Sequence, residues 1–524
     1  MADELNSVLP STNLVYHITS AVPLPGPQTP PQDIEKQTGT ETGSLTDDNH
    51  QHVAWDDPRE RRNPHNWNVW MKTLHTAIPC FLAFEITFST SITVPATNQI
   101  AQHFSVSRTE SILPLTLYTL GLAIGPVFIA PFSEVFGRKY IYAGTSTLLL
   151  AFLGGSAAAQ TFSALLACRF LAGLFGSAGI AVGAGTIADI WGLGGGAGAS
   201  LLFILGPFLG PTLGPLAGAY VLADRGGDWR WTQYVLIILG APLWVATLSM
   251  RETSKAWILR KESGDRQKIT FSRIAALAKG AVMRPTKMLF TEIIVSSLAV
   301  YSAFAYAMIF SYFASSSYIL QRLYKFNLTE VGLSFISVII GYFLAVILFA
   351  LFDAKFRMPA IRAGTATPEL RLYSACVGSV ALPAGLFWYA WEAHEGGNWA
   401  AFVAAGIPFG IGAFSLFLSI ITYMVDFYGV KAAASALAAN GIIRYILGAV
   451  FPLFTIQMYE NLGVHWAGSL FAFLSLPLLP IPWLLLRYGP ALRNRSKFHG
   501  PMASSGIRHG KVFEGSAIAE PTHE

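Results

Sequence analysis

Apolar blocks about as long as a bilayer is thick recur along almost the whole of this chain. They read as 71–95, 110–132, 139–159, 163–190, 198–222 and 230–250, and then as 288–317, 329–353, 372–391, 399–426, 432–457 and 464–486. A helix crossing a bilayer needs about 20 apolar residues and satisfies all its backbone polar groups within itself. Twelve such helices use ~240 residues, so the 524-residue length is filled by spans, tails and loops without a large soluble domain. Only 12% of residues are charged and mean hydropathy is +0.47, where a soluble protein carries about a quarter charged. A simple water-soluble enzyme is excluded, and an all-α polytopic membrane protein is expected.

The charges that remain set an orientation. With both termini inside, about 28 of the 35 Lys and Arg fall on the cytoplasmic side and about 5 in outer loops, the sense of the positive-inside bias. The organisation expected is a disordered cytoplasmic tail (1–70), a first six-helix bundle (71–250), a basic cytoplasmic linker (251–287), a second bundle (288–486) and a cytoplasmic tail (487–524). No signal peptide is visible, and the first span is expected to serve as an uncleaved targeting signal. Cys80, Cys168 and Cys376 lie far apart in apolar stretches, so they suggest neither a disulfide framework nor a metal site. Asn327-Leu328-Thr329 is a glycosylation sequence close to the eighth block.

Three stretches depart from plain apolar sequence. APFSEVFGRKY (130–140) sets Glu134, Gly137, Arg138 and Lys139 in a tight connection, where Gly supplies backbone freedom and the charges either bridge helix ends as a gate or anchor the cytoplasmic face. The fourth block carries Arg169 toward its outer side and Asp189 near its inner end, with glycines between that let a neighbouring helix approach. An intramembrane Arg faces a partner or a wet cavity, or snorkels to the headgroups. In the fifth block Gly206-Pro207, Gly210-Pro211 and Gly214-Pro215 repeat at four-residue spacing and Gly218 continues the row, which places the glycines on one face of a bent helix.

These motifs, in this order, resemble the major facilitator superfamily and within it the twelve-span drug:proton antiporters, whose signature is the repeated Gly-Pro of the fifth span. WDDPRERRNPHNW (55–67), DWRW (228–231), Glu252-Thr253 and YMVDFYGVKAAASALAANGIIRYILGAVFPLF (423–454) are similar to the fungal branch. The likeness covers roughly 55–495 and implies a major facilitator fold of two six-helix bundles with both termini cytoplasmic. It also implies proton coupling through Arg169 and a conformational role for the Gly-Pro row. Three departures stand out: Glu134 replaces the usual Asp, the connection GLGGGAGAS (192–200) carries no charge, and Arg251 stands where Pro commonly precedes Glu252-Thr253.

Independently of any family, Glu85 lies in mid-span with no basic residue near it in sequence. An apolar surrounding favours the protonated carboxyl, so Glu85 suits a proton-exchanging or cation-receiving site as well as a neutral packing role. Asn440 and Arg444 share a face of the eleventh block, as a brace or as functional groups, and Asp426 ends the tenth block as a gate residue. Tyr301, Tyr306 and Phe310 make an aromatic wall in the seventh, facing either a guest or lipid.

The function expected is proton-coupled export, by alternating access, of a small amphipathic or cationic compound such as a drug, toxin, polyamine or secondary metabolite. Nutrient symport and a non-transporting sensor are the alternatives. The partners expected are that small molecule, protons and membrane lipids, with no nucleic acid, in a monomer at the plasma or vacuolar membrane. No enzyme activity, cofactor or metal is expected: the chain has no Walker sequence, metal spacing or nucleophile motif.

Overall fold

In the computed structural model the chain is described for residues 55, 57, 59–195, 197–263, 271–496 and 498. The tail expected to be disordered before residue 55, and the C-terminal tail beyond 498, lie outside them. The described residues form helices and turns with no strand, as apolar segments must when no water is present to satisfy free backbone groups.

Helical segments stand at the twelve expected spans, in chain order: α1 Val69–Ser91, α2 Leu113–Phe136, α3 Arg138–Ala157, α4 Phe162–Gly192, α5 Gly198–Asp224, α6 Trp231–Ser249, α7 Ile293–Leu323, α8 Leu328–Arg362, α9 Tyr373–Glu392, α10 Trp399–Gly429, α11 Ala432–Leu462 and α12 Val464–Arg495. Eleven helical segments among the described residues are long and apolar enough to cross a membrane, where twelve were expected. The exception is α3, which coincides with the expected span 139–159. Its 20 residues open on Arg138 and Lys139 and carry several Tyr, Thr, Ser and Gly, and this keeps its mean hydropathy below that of the others.

Side-chain caps fix several starts. Asn68 accepts from Met71 N at 2.8 Å to open α1, and Thr161 accepts from Ala164 N at 3.3 Å to open α4. Asn327 and Glu330 form a reciprocal capping box at the start of α8, so the Asn of the glycosylation sequence is a helix cap. The basic linker contains two helices, Lys255–Glu262 and Phe271–Thr291, so residues 288–291 belong to the linker and α7 begins at Ile293.

Within the first six segments α1 packs on α5 and α6, α2 on α4, and α3 on α4 and α6. Within the last six α7, α8 and α9 pack on α10 and α11, two helices separated by the non-helical backbone of Gly429. The two sets meet where α2 lies along α11 and where the start of α8 crosses α5. One extensive apolar core runs through both sets, and a second, smaller one sits where the start of α7 meets α10 and α12.

Candidate functional site

The fifth-block glycines all face α1. A Cβ on Gly206 would lie 3.3 Å from Cys80 O and 3.4 Å from Phe84 N. On Gly210 it would reach 2.6 Å from Phe88 N, and on Gly214 2.9 Å from Ile92 N. On Gly218 it would fall on the carbonyl of Ile92. Backbone meets backbone along four turns, an approach that only the absence of a side chain permits. Pro207, Pro211 and Pro215 lie inside the same helix. Each removes a backbone donor and loosens the turn around it.

That packing carries the α1 polar residues into the core of the first six helices. Arg169 on α4 is fully buried. Its Nη2 donates to Ser89 O at 2.6 Å and its Nη1 to Ser89 Oγ at 3.2 Å and Gln233 Oε1 of α6 at 3.4 Å. The ring of Tyr118 from α2 lies 4.5 Å away, held by its own hydroxyl donating to Ile86 O at 2.9 Å. Arg169 therefore does not snorkel, it has no carboxylate among the described residues, and its Nε has no partner. One turn along α1, Glu85 is 3% exposed and its Oε1 is unpartnered. It points at Gly240 of α6 and packs near Leu150 of α3, in a gap that exists only because residue 240 has no side chain. Two ionisable groups thus sit a turn apart in depth without an ion pair.

A second cluster lies among α5, α7, α8, α10 and α11. Arg444 is 6% exposed, and its guanidinium carbon lies 4.6 Å from the ring centre of Phe417, 4.7 Å from Tyr445 and 5.3 Å from Tyr306. Its Nε and Nη1 have no hydrogen-bond partner. Each ring face is worth about 2 kcal/mol to a desolvated cation, against several kcal/mol to bury the charge, so the cage offsets much of the penalty and leaves two donors unused. Phe208 of the Gly-Pro helix enters this cage, 4.4 Å from Phe417, 5.0 Å from Phe414, 5.6 Å from Tyr342 and 6.1 Å from Tyr306.

Asn440 lies a turn from Arg444 but bonds elsewhere, donating to Ser302 Oγ at 2.6 Å, while its Oδ1 is unpartnered. Of the aromatic wall, Tyr306 and Phe310 pack together at 5.2 Å by the cage and Tyr301 is buried with an unpartnered hydroxyl. None of the three faces lipid. Phe208, Tyr342, Phe414, Phe417 and Tyr445 are cage members that sequence reading missed, because periodicity does not separate a core aromatic from a site aromatic.

The charged residues at the helix ends opposite the Arg169 side form two local networks. Arg138 Nε bonds Asp189 Oδ2 at 3.1 Å and its Nη1 bonds Ser133 Oγ at 2.7 Å. The carboxylate of Glu252 accepts from the backbone N–H groups of Arg138 (2.8 Å), Lys139 (3.1 Å), Thr253 (3.0 Å) and Ser254 (2.9 Å). Gly137 has φ +93°, and a Cβ there would run into that carboxylate. Glu134 is exposed and makes no ion pair among the described residues, and the acid that meets Arg138 is Asp189 from α4. In the last six helices Arg371 bridges Asp353 (2.8 Å) and Asp426 (3.0 Å), and Arg357 joins the same two at 3.7 and 3.4 Å. Asp353 and Arg357 bound a single π-helical turn, the kind of local departure that recurs where a helix must place functional groups.

Residues 80–452 match the family model described as Major Facilitator Superfamily. The chain is 34% identical over 529 aligned residues to Polyamine transporter 4 of Saccharomyces cerevisiae, covering 93% of this chain and 79% of that one. It is 36% identical over 474 residues to the Major facilitator superfamily multidrug transporter mdrA of Aspergillus fumigatus, covering 87% and 77%. Among solved structures it is similar to the proton:xylose symporter XylE, with TM-score 0.57 at 14% identity over 80% of this chain and 97% of that one.

Proposed function

The chain belongs to the Major Facilitator Superfamily, and on that footing we propose that it is a proton-coupled exporter of a small amphipathic or cationic organic compound, working by alternating access with both termini in the cytoplasm. As a member of that family it is a multi-pass membrane transporter and not an enzyme. The observation that carries the finer reading is the pair of buried ionisable groups without an ion pair, Glu85 on α1, the helix that the Gly-Pro segment packs against, and Arg169 on α4, which bonds to α1 at Ser89. A carboxyl enclosed by Gly240 and Leu150 is costly to leave charged, so its proton comes and goes only when the surrounding helices move. Arg169, held by neutral acceptors alone, senses the charge on Glu85 a turn away. Release of cargo on one side and of a proton on the other are thereby tied to the same movement of α1 against α5.

The relatives' printed roles, a polyamine transporter and a multidrug transporter, suit export of drugs, toxins, polyamines or secondary metabolites. In this reading the protein works as a monomer in the plasma membrane, with the vacuolar membrane as the second site. The test is dye efflux from yeast lacking its own pumps, preloaded with rhodamine 123 or fluorescein. Efflux of either dye that a protonophore stops, and that Glu85→Gln and Arg169→Ala each reduce at least tenfold at equal expression, supports the reading. Gradient-driven accumulation would establish uptake and overturn export.

A further inference from the structure

The Arg444 cage of the last six helices presents a fixed positive charge with no carboxylate in contact among the described residues, and the buried Glu292 sits at the start of α7, where Tyr428 and Ser496 donate to it. Arg444 has three aromatic neighbours, two unpartnered donors and no carboxylate in contact among the described residues, and the hydroxyls of Tyr306 and Tyr445 beside it are also unpartnered. Among the described residues the acids of these helices and their connections that make ion pairs, Asp353, Asp426, Glu369 and Glu460, are engaged at the helix ends by Arg357, Arg371, Arg493 and Arg108. A cationic guest in this cage would find its ring faces already occupied by a guanidinium. At ~5 Å in an interior of effective dielectric ~20, repulsion between the two charges weakens its binding on the order of a hundredfold. An anionic guest meets the reverse: a desolvated guanidinium with free N–H groups, whose burial cost it relieves.

From this geometry we infer that the Arg444 cage is the cargo seat and that the cargo carries an anionic group, a carboxylate, sulfonate or phenolate on an aromatic or aliphatic body. The inference rests on the transport reading above and narrows its substrate class to amphipathic anions, which sets the cationic cargoes of that reading, polyamines among them, aside. The anion pairs with Arg444, and Tyr306 and Tyr445 donate their hydroxyls to it. The apolar body takes the place now filled by Phe208, whose ring touches Phe414 and Phe417 as a bound aromatic would. Phe208 follows Gly206-Pro207 on α5, so a shift of that helix along α1 withdraws the ring and empties the seat. Exchange of side chain for cargo then accompanies the conformational change without any new hinge.

The test uses two xanthene dyes of opposite charge, fluorescein and rhodamine 123, whose binding to the full chain in lipid nanodiscs is read by fluorescence anisotropy at pH 7.5. The wild-type protein is expected to bind fluorescein at least tenfold more tightly than rhodamine 123. Arg444→Gln should lose at least tenfold in fluorescein affinity, and Arg444→Lys, which keeps the charge without the planar fork, should keep the preference. If Arg444→Gln does not purify as a folded protein, displacement of fluorescein from the wild type by benzoate and not by tetramethylammonium decides the same point. Tighter binding of rhodamine 123, an Arg444→Gln protein that binds fluorescein as the wild type does, or binding of neither dye would overturn the inference. Proteoliposomes separate the two readings. Arg444-dependent fluorescein binding with no movement under a pH gradient keeps the site and defeats export, while gradient-driven rhodamine 123 without fluorescein binding does the opposite.

Discussion

Glu252 closes four backbone N–H groups with one carboxylate, two at the start of α3 and two in its own turn. A charged acceptor at a helix N-terminus gains from both the free donors and the helix dipole. Glu252→Gln keeps the shape and removes the charge, and we expect a loss of about 1–3 kcal/mol, read as a lower thermal midpoint of the detergent-solubilised protein. Gly137→Ala strikes the same contact, because its φ is +93° and its new Cβ meets the carboxylate. The double variant should therefore lose less than the sum of the singles. A Glu252→Gln midpoint equal to that of the wild type would remove this clamp from the account. Glu60, in the segment ahead of α1, gives a pH-dependent case. Arg62 donates its Nε at 2.8 Å and its backbone N at 2.9 Å, and this holds the Glu60 carboxyl down at about 2 from 4.5. Since the folded value is the lower one, the contact contributes fully above pH 4.5 and is lost as pH falls through about 2. Hydrogen exchange of residues 59–66, corrected for intrinsic rate, should be flat from pH 7 to about 5 and rise only below that window. A rise beginning near pH 6 would point to a different group.

At the scale of the element, α5 is a ladder of contacts with graded tolerance. Gly206 leaves a methyl group a tight fit to which α1 must yield by a few tenths of an ångström, Gly214 leaves less, and Gly210 and Gly218 leave none, since the atoms in the way include α1 backbone. Alanine at these positions should therefore lower transport and thermal stability in the order 206, 214, then 210 and 218. Overpacking of this kind costs typically 1–3 kcal/mol. An equal effect at all four positions would mean that the row acts through backbone flexibility and not through its fit to α1. Four-residue spacing made the glycine face legible in the sequence, but not its partner. Nothing in a single helix says that α1 is the neighbour, or that Phe208 leaves the same helix toward α10. The Arg138–Asp189 pair shows the same division: both could be named as charged residues at helix ends, but their pairing at 3.1 Å depends on α4 returning to the start of α3. Glu134 looked equivalent to Asp189 in sequence and is turned outward instead.

At the scale of the whole molecule, the spans were legible because a bilayer imposes length and apolarity, and α3 was the marginal one because its packed faces tolerate Thr, Ser and Gly. The buried sites were legible only as isolated polar residues, since their meaning comes from three-dimensional surroundings in which, among the described residues, no acid pairs with Arg169 or Arg444. The contacts between the first and last six helices also became visible only in three dimensions, and they cluster toward one end. Thr116 Oγ1 of α2 donates to Ala449 O of α11 at 3.0 Å, Gln457 bonds Thr109, and Gly332 at the start of α8 sits where a Cβ would lie 3.0 Å from Leu216 Cα. The ion-pair networks at the opposite end, by contrast, each stay within one set of six. Alternating access requires the first of these ends to part when the other closes. Thr109→Cys with Gln457→Cys, joined by a short bifunctional maleimide, should hold the end shut and abolish dye efflux, while the unlinked double variant retains it. The native cysteines are buried or half-buried, which limits competing reaction. Gly332→Leu should act in the opposite sense, wedging α8 from α5 and raising the reactivity of a cysteine at 109 toward an added maleimide. Full efflux from the cross-linked protein would show that this end does not open during transport, and the rocking of the two sets of helices would have to be abandoned.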